Sequence, residues 1–323
     1  MLLPHIVMFI TLVVWSANVS IVKVGMDHVH PAAFTAARFL IAVVMTWSVS
    51  IALHGRRALI PPRSRVLGVA AIGLGCNQLF FAFGLNLTTA VDSSLIGGLS
   101  PVFVGAMVMV TTRRRLAARE LVALALGLGG MAAVVLAMPG QAGGSVIGNL
   151  INLGVPLSYA FFLVYTVDDA VGVPVTRLIP WILSAPLVVL LPAASIDFIG
   201  SRQDWVGALP ELLAAGLLAT AFAYGATLWV RDRLGVTTTA VYNYFQPPLG
   251  AAIGAIFLGE PYKPLQLGGT VLILLAAYLA SARRAGERGH LKVGKCEQID
   301  KSPPDPPTKI PPTDVGATPG RQR

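Results

Sequence analysis

Polar and aromatic side chains stand inside segments that are otherwise apolar enough to lie in a lipid bilayer. The clearest case is VYNYFQPPLGAAIGAIFLGE, residues 241–260, which carries Tyr242, Asn243 and Gln246 in its first half. Tyr242 and Gln246 are four residues apart and would share one face of a helix. Polar side chains in a membrane helix usually face the bundle interior or a water-filled cavity. The pattern predicts the polar wall of a cavity, with hydrogen bonds between helices as the alternative.

Other apolar segments carry the same types of side chain. Asn77 and Phe81 are four residues apart, and because the neighbouring Gln78 points to another helix face, we expect only Asn77 of that pair to line the cavity. A contact between helices is the alternative for these residues too. The candidates outside residues 241–260 are Trp15, Asn18, Asn77, Phe81, Tyr159 and Tyr224.

Few charges accompany them. Arg38 lies about seven residues into the second apolar segment, roughly 10 Å along a helix. It could bind an anionic group, pair with Asp27 or Asp92, or extend towards the surface. We expect Lys23 to extend towards the surface. Asp92 opens the fourth segment and is predicted to cap its helix, with proton coupling as its second interpretation.

The composition places these residues in a membrane. Of 323 residues, 55% are hydrophobic and 12% charged, with a mean hydropathy of +0.72, whereas soluble domains carry about 25% charged residues. The net charge of +9 comes from basic residues in short loops and a tail. Membrane topology explains that distribution, so the partner is the lipid bilayer and not a nucleic acid.

A spanning helix needs about 20 mostly apolar residues, and on that criterion we predict ten spans. They lie roughly at 4–24, 31–53, 66–87, 91–111, 120–138, 146–166, 176–195, 207–229, 237–258 and 264–282. Arginines concentrate in alternate loops, including the predicted loop between spans eight and nine that holds Arg231 and Arg233. This asymmetry predicts both termini in the cytoplasm of a multi-pass cell-membrane protein.

The chain also repeats weakly. Pro101 in the fourth span aligns with Pro247 in the ninth, and Leu121 aligns with Leu267 at the same offset. The predicted units are a first repeat at 1–139, a linker at 140–148, a second repeat at 149–284 and a disordered, Pro-rich cytoplasmic tail at 285–323. Five spans per repeat require the second copy to be inverted, so the fold class is an all-α membrane protein of two inverted five-helix repeats.

Three stretches carry a resemblance to a known family. WSANVSIVKVGMDHVHPAAFTAARFLIAVV (15–44), LSPVFVGAMV (99–108) and FQPPLGAAIGAIFLGE (245–260) resemble the first two, fourth and ninth helices of the EamA family of drug/metabolite transporters. Glu260 matches the family's loop carboxylate, whereas Arg114 stands at the matching place in the first half. The resemblance implies a ten-helix transporter of small metabolites or drugs, most often an exporter, without a nucleotide cofactor.

Among transporters, amides and aromatic rings with few charges favour neutral or zwitterionic solutes such as amino acids. Drug efflux is the main alternative, because aromatic rings also bind cations. No Asp, Glu or His lies near the middle of a predicted span, which favours a facilitator or exchanger. A membrane-embedded enzyme or a non-transporting scaffold is less favoured. Asp168 and Asp169, the one adjacent acidic pair, have no His nearby, and no metal or cofactor site is predicted.

Overall fold

A computed structural model describes residues 2–112, 118–136, 145–166, 173–198, 203–242, 245–261 and 263–281. Asn243, Arg114, the linker residues 140–144 and the tail 285–323 lie outside the described residues. Every regular element in the described part is helical, and residues 146–148 of the predicted linker already belong to a helix. The elements are α1 (Leu2–His28), α2 (Pro31–His54), a 3₁₀ turn (Gly55–Leu59), α3 (Ser64–Asn86), α4 (Ala90–Gly97), α5 (Ser100–Thr112), α6 (Ala118–Leu136), α7 (Val146–Asn152), α8 (Gly154–Thr166), α9 (Val175–Ser184), α10 (Leu187–Phe198), α11 (Leu209–Leu213), a π-helical segment (Ala214–Phe222), α12 (Ala223–Tyr242), α13 (Gln246–Phe257) and α14 (Pro264–Ser281).

Six stretches of this part are long and apolar enough to cross a membrane. They are Leu2–His28, Pro31–Leu59, Ser64–Asn86, Val146–Tyr165, Val175–Ile196 and Leu209–Val230. Ala90–Val104 and Pro264–Ala276 are apolar but shorter. Val44, Val188 and Ile256 are among the large apolar side chains that are more than half exposed. Lipid contact accounts for such a surface, so the chain is a multi-pass membrane protein.

Prolines explain where several predicted spans divide into two helices. Span four becomes α4 and α5, span six becomes α7 and α8, and span seven becomes α9 and α10. Pro101 and Pro156 lie in the first turn of the second helix, and Pro186 directly precedes it. Because proline lacks a backbone N–H and suits the first helical turn, it favours a new start at these points.

The prediction of a loop between spans eight and nine is wrong. Helical structure continues from Leu209 to Tyr242, through Arg231 and Arg233. The Arg233 guanidinium stacks 3.8 Å from the Trp229 ring centroid and donates to the Trp229 carbonyl at 3.1 Å. Basic residues mark the depth at which a helix leaves lipid, and nothing in this stretch stops the helix there.

The helices pack in a pattern that brings distant parts of the chain together. α1 contacts the π-helical segment, α12 and α13, and α3 contacts α7 and α8. α2 contacts α9 and α10, α6 contacts α14, and α4 contacts α13. The crossing of α4 and α13 is close, because a Cβ added to Gly250 would stand 2.6 Å from the Ser94 Oγ. Gly250 and Gly254 therefore serve the helix contact.

Candidate functional site

Trp15 is fixed on α1 by an irregularity in the opposite helix. Ala223, the residue directly after the π-helical segment, donates its backbone N–H to the Leu218 carbonyl, five residues back. In an α-helix the same N–H would bond to the Ala219 carbonyl. That carbonyl instead accepts the indole N–H of Trp15 at 2.9 Å. π-helical turns often occur at functional sites, and this one gives a fixed position to a predicted binding residue.

Arg38 lies inside the bundle and is only 3% exposed. Its Nη2 donates to the Gln78 Oε1, and its guanidinium lies 5.8 Å from the Phe81 ring centroid. The Nε makes no hydrogen bond within the described residues, and no described carboxylate lies within ion-pair distance of the guanidinium. Two of the three interpretations of Arg38 are therefore wrong: it neither pairs with Asp27 or Asp92 nor reaches the surface. Binding of an anionic group stays a prediction.

Two side chains, Gln78 and Asn77, connect Arg38 to the second half of the chain. The Gln78 Nε2 donates to the Asn77 Oδ1 at 2.9 Å, and the Asn77 Nδ2 donates to the Val155 carbonyl on α8 at 2.8 Å. Both amide side chains are 6% exposed. Helical spacing predicted Asn77 and Gln78 on different faces, but these two neighbouring side chains turn towards each other and form a hydrogen bond.

Tyr224 on α12 joins these groups to Trp15. Its ring meets the Trp15 ring edge-on, with the centroids 5.6 Å apart. It also lies within electrostatic range of Arg38 and of Tyr159 on α8. Six predicted binding residues and Gln78 therefore form one group, called the central cluster below. The central cluster comprises Trp15, Arg38, Asn77, Gln78, Phe81, Tyr159 and Tyr224.

Two of the remaining predicted residues, Asn18 and Gln246, lie near the central cluster, and Tyr242 does not. Asn18 lies one turn beyond Trp15 on α1, is 8% exposed, and its Oδ1 has no hydrogen-bond partner in the described part. The Gln246 backbone carbonyl accepts a hydrogen bond from the hydroxyl of Ser16 at 3.3 Å, and Ser16 follows Trp15 in the sequence. Asn18 and Gln246 thus lie beside the central cluster along α1.

Tyr242 does not join Gln246 on one wall. Its hydroxyl bonds to the His5 Nδ1 at 2.8 Å. His5 and Ser16, the α1 partners of Tyr242 and Gln246, are roughly 16 Å apart at 1.5 Å per residue. The shared face predicted for Tyr242 and Gln246 is therefore wrong, because α12 ends at Tyr242 and α13 begins at Gln246. Tyr242 makes the contact between helices that was its alternative.

A second polar group surrounds Asp92, which is 1% exposed. Thr89 caps α4 by accepting the Asp92 backbone N–H at 3.0 Å, so the predicted capping role of Asp92 is wrong. Asp92 lies within the first turn of α4, and its carboxylate bonds to side chains outside that helix. The Asp92 Oδ1 accepts the Gln266 Nε2 at 2.6 Å, and Thr88 donates to the Oδ2 at 3.5 Å.

Two further charged residues close the turn between α3 and α4. The Glu260 carboxylate accepts the backbone N–H groups of Ala90 and Val91, both at 2.8 Å, at the N-terminus of α4. The Lys23 ammonium donates to the Leu85 and Thr88 carbonyls at 2.8 and 2.7 Å, at the C-terminal end of α3. Lys23 therefore does not extend towards the surface. Free helix ends offer such partners to charged groups.

Sequence reasoning missed Gln78, Gln266, and the roles of Lys23 and Glu260. Each of these residues bonds to a part of the chain that is distant in sequence, so spacing alone gave no signal. Within the described residues, no three His, Cys, Asp or Glu side chains come together as a metal site. The central cluster offers a ligand hydrogen-bond donors, hydrogen-bond acceptors and aromatic rings.

Comparisons with known proteins agree with this architecture. The sequence model of the EamA-like transporter family matches residues 2–136 and again residues 146–282. A probable terminal-alkyne amino-acid exporter from Streptantibioticus cattleyicolor is 26% identical over 288 residues, which cover 86% of this chain and 93% of that protein. A probable amino-acid metabolite efflux pump from Salmonella typhimurium is 22% identical over 286 residues, which cover 84% of this chain and 92% of that protein. One crystal structure shares the fold, with a TM-score of 0.60 and 19% sequence identity. The superposition covers 87% of this chain and 98% of the chain in that structure.

Proposed function

Because this chain belongs to the EamA-like transporter family, we propose that it moves small amphipathic metabolites with a carboxylate group, such as amino acids, out of the cell by alternating access. The observation that carries this proposal is Arg38, a buried cation without a described carboxylate partner. A charge at the centre of a membrane helix costs about 2.5–3.5 kcal/mol on insertion scales. A substrate carboxylate would supply the missing partner, since guanidinium and carboxylate match geometrically.

The surroundings of Arg38 suit the rest of such a solute. The rings of Trp15, Phe81 and Tyr224 offer apolar area. The Asn18 Oδ1, which has no hydrogen-bond partner among the described residues, offers an acceptor for an ammonium group. The names of the two relatives from Streptantibioticus and Salmonella, both of which refer to amino acids, agree with this class. Drug-like cations fit less well, because Arg38 repels them.

For the architecture we propose ten spans in two inverted repeats, at 1–139 and 149–284, with the site between the repeats. The packing supports this, since each main contact made by one repeat has an equivalent made by the other. Span one packs on span eight, and its equivalent, span six, packs on span three. Span two packs on its equivalent span seven, span four on span nine, and span five on span ten. The proposed place is the cell membrane, with both termini in the cytoplasm.

A reporter inserted after residue 140 tests this orientation. The proposal requires it to be accessible from outside the cell, while reporters at both termini are accessible only from the cytoplasm. A reporter at 140 that shares the cytoplasm with both termini contradicts the inverted repeat.

Vesicle efflux tests the function. Purified protein is reconstituted into liposomes loaded with the twenty standard amino acids and benzyltrimethylammonium, a membrane-impermeant aromatic cation. We expect amino acids with apolar side chains to leave faster than from protein-free liposomes, while the cation stays inside. Release of the cation alone supports drug efflux instead, and release of neither contradicts the proposal.

A further inference from the structure

We propose that Gln78 makes the central cluster selective for anionic groups, because it fixes the Arg38 guanidinium without neutralising its charge. This inference rests on the proposed function, in which Arg38 binds the substrate carboxylate. Gln78 was not among the residues predicted from the sequence. It touches Arg38 on one side and Asn77 on the other.

The hydrogen bonds of Gln78 have only one possible direction. Arg38 carries only donors, so Gln78 must present its oxygen to Arg38 and its amide nitrogen to Asn77. Asn77 in turn must present its oxygen to Gln78, because its nitrogen donates to the Val155 carbonyl. A backbone carbonyl on α8 therefore sets the orientation of both amides and, through them, of the guanidinium.

The same chain of bonds is electrically neutral. Two amides and a backbone carbonyl polarise towards Arg38 but bring no negative charge. A carboxylate at position 78 would hold the guanidinium equally well and would form a buried ion pair. The positive charge would then be compensated within the protein, and a substrate carboxylate would lose its advantage over a cation.

Two substitutions separate charge from geometry. Gln78→Glu keeps the size of the side chain and adds a negative charge beside Arg38. Gln78→Met removes the hydrogen bonds and adds no charge. Gln203→Glu is the matched control, because Gln203 accepts the His30 backbone N–H at 2.9 Å, which places the added charge roughly 12 Å from Arg38 along α2 at 1.5 Å per residue.

The measurement is the ratio of phenylalanine release to benzyltrimethylammonium release from vesicles loaded with both. We expect this ratio to fall by about tenfold or more in Gln78→Glu, the factor that a hydrogen bond to a charged group typically contributes. Gln78→Met should release phenylalanine more slowly but keep the ratio within about threefold of wild type. Gln203→Glu should keep both rates.

Four outcomes decide the inference. A lowered ratio in Gln78→Glu with a retained ratio in Gln78→Met supports it. An unchanged ratio in a Gln78→Glu protein that folds and transports overturns it and leaves the proposed function intact. An equal fall in the ratio for both variants also overturns it, because geometry alone would then explain selectivity. If wild-type vesicles release no phenylalanine or any other amino acid, the proposed function itself fails, and this inference fails with it.

Discussion

Glu260 should stabilise the protein by tying the segment after α13 to the start of α4. Its two carboxylate oxygens accept the Ala90 and Val91 N–H groups at 2.8 Å each. The N-terminus of a helix has N–H groups without intrahelical partners and a partial positive charge. Hydrogen bonds to a charged group contribute about 1.5–3 kcal/mol each in favourable cases. Because these two bonds are only partly buried and share one carboxylate, we expect Glu260→Ala to lower the free energy of unfolding by about 2 kcal/mol.

The substitution Glu260→Gln gives a graded test. Glutamine keeps one acceptor oxygen but turns an amide group towards the second N–H, so about half of the effect should remain. The measurement is denaturant unfolding of the purified protein in micelles, followed by the helical circular-dichroism signal.

Glu211 is the matched control for Glu260. Its Oε2 is buried and has no hydrogen-bond partner among the described residues. We expect Glu211→Ala to lower the free energy of unfolding by less than about 1 kcal/mol, the size of a helix-dipole contribution. If Glu260→Ala lowers it no more than Glu211→Ala does, the capping role of Glu260 is refuted.

Two further predictions concern the same region. Asp92→Asn should leave any dependence of efflux on an imposed proton gradient as in wild type. The reason is that the Asp92 Oδ1 serves as an acceptor for Gln266, and asparagine keeps an acceptor oxygen. A proton dependence that is present in wild-type vesicles and lost in the variant would make Asp92 the coupling residue. Lys23→Met should lower the free energy of unfolding by about 2 kcal/mol, because the Leu85 and Thr88 carbonyls lose a charged donor. Lys23→Arg should lower the free energy of unfolding less. Equal stability of Lys23→Met and wild type would contradict this role of Lys23.

The sequence was most informative where composition and helical spacing decide the structure. Hydropathy indicated a membrane protein. Basic residues were a poorer guide to helix ends, because Arg231 and Arg233 lie inside α12, where a loop was predicted. Charge reports where a chain leaves lipid, whereas helix ends depend on backbone partners.

Polar and aromatic side chains within spans were expected to line one cavity. The structure brings several of them into one group: Trp15, Arg38, Asn77, Phe81, Tyr159 and Tyr224. Their binding role stays a prediction. The π-helical segment that frees the Ala219 carbonyl for Trp15 has no sequence signal that we recognise.

Contacts between helices account for the incorrect expectations. Tyr242 and Gln246 have helical spacing but lie on different helices, and each took a partner on α1. Lys23 took its partners from the end of α3. Such choices depend on which helix ends and carbonyls the fold places nearby, so they follow from packing and not from local pattern.

The central claim is that Arg38 binds the carboxylate of the transported solute. Phenylalanine efflux from vesicles containing Arg38→Met tests it most directly, with correct folding verified by size-exclusion chromatography and helical content. The account predicts release reduced by about tenfold or more, because a buried charged hydrogen-bond partner of the substrate is lost. A folded Arg38→Met protein that releases phenylalanine at the wild-type rate would contradict the account.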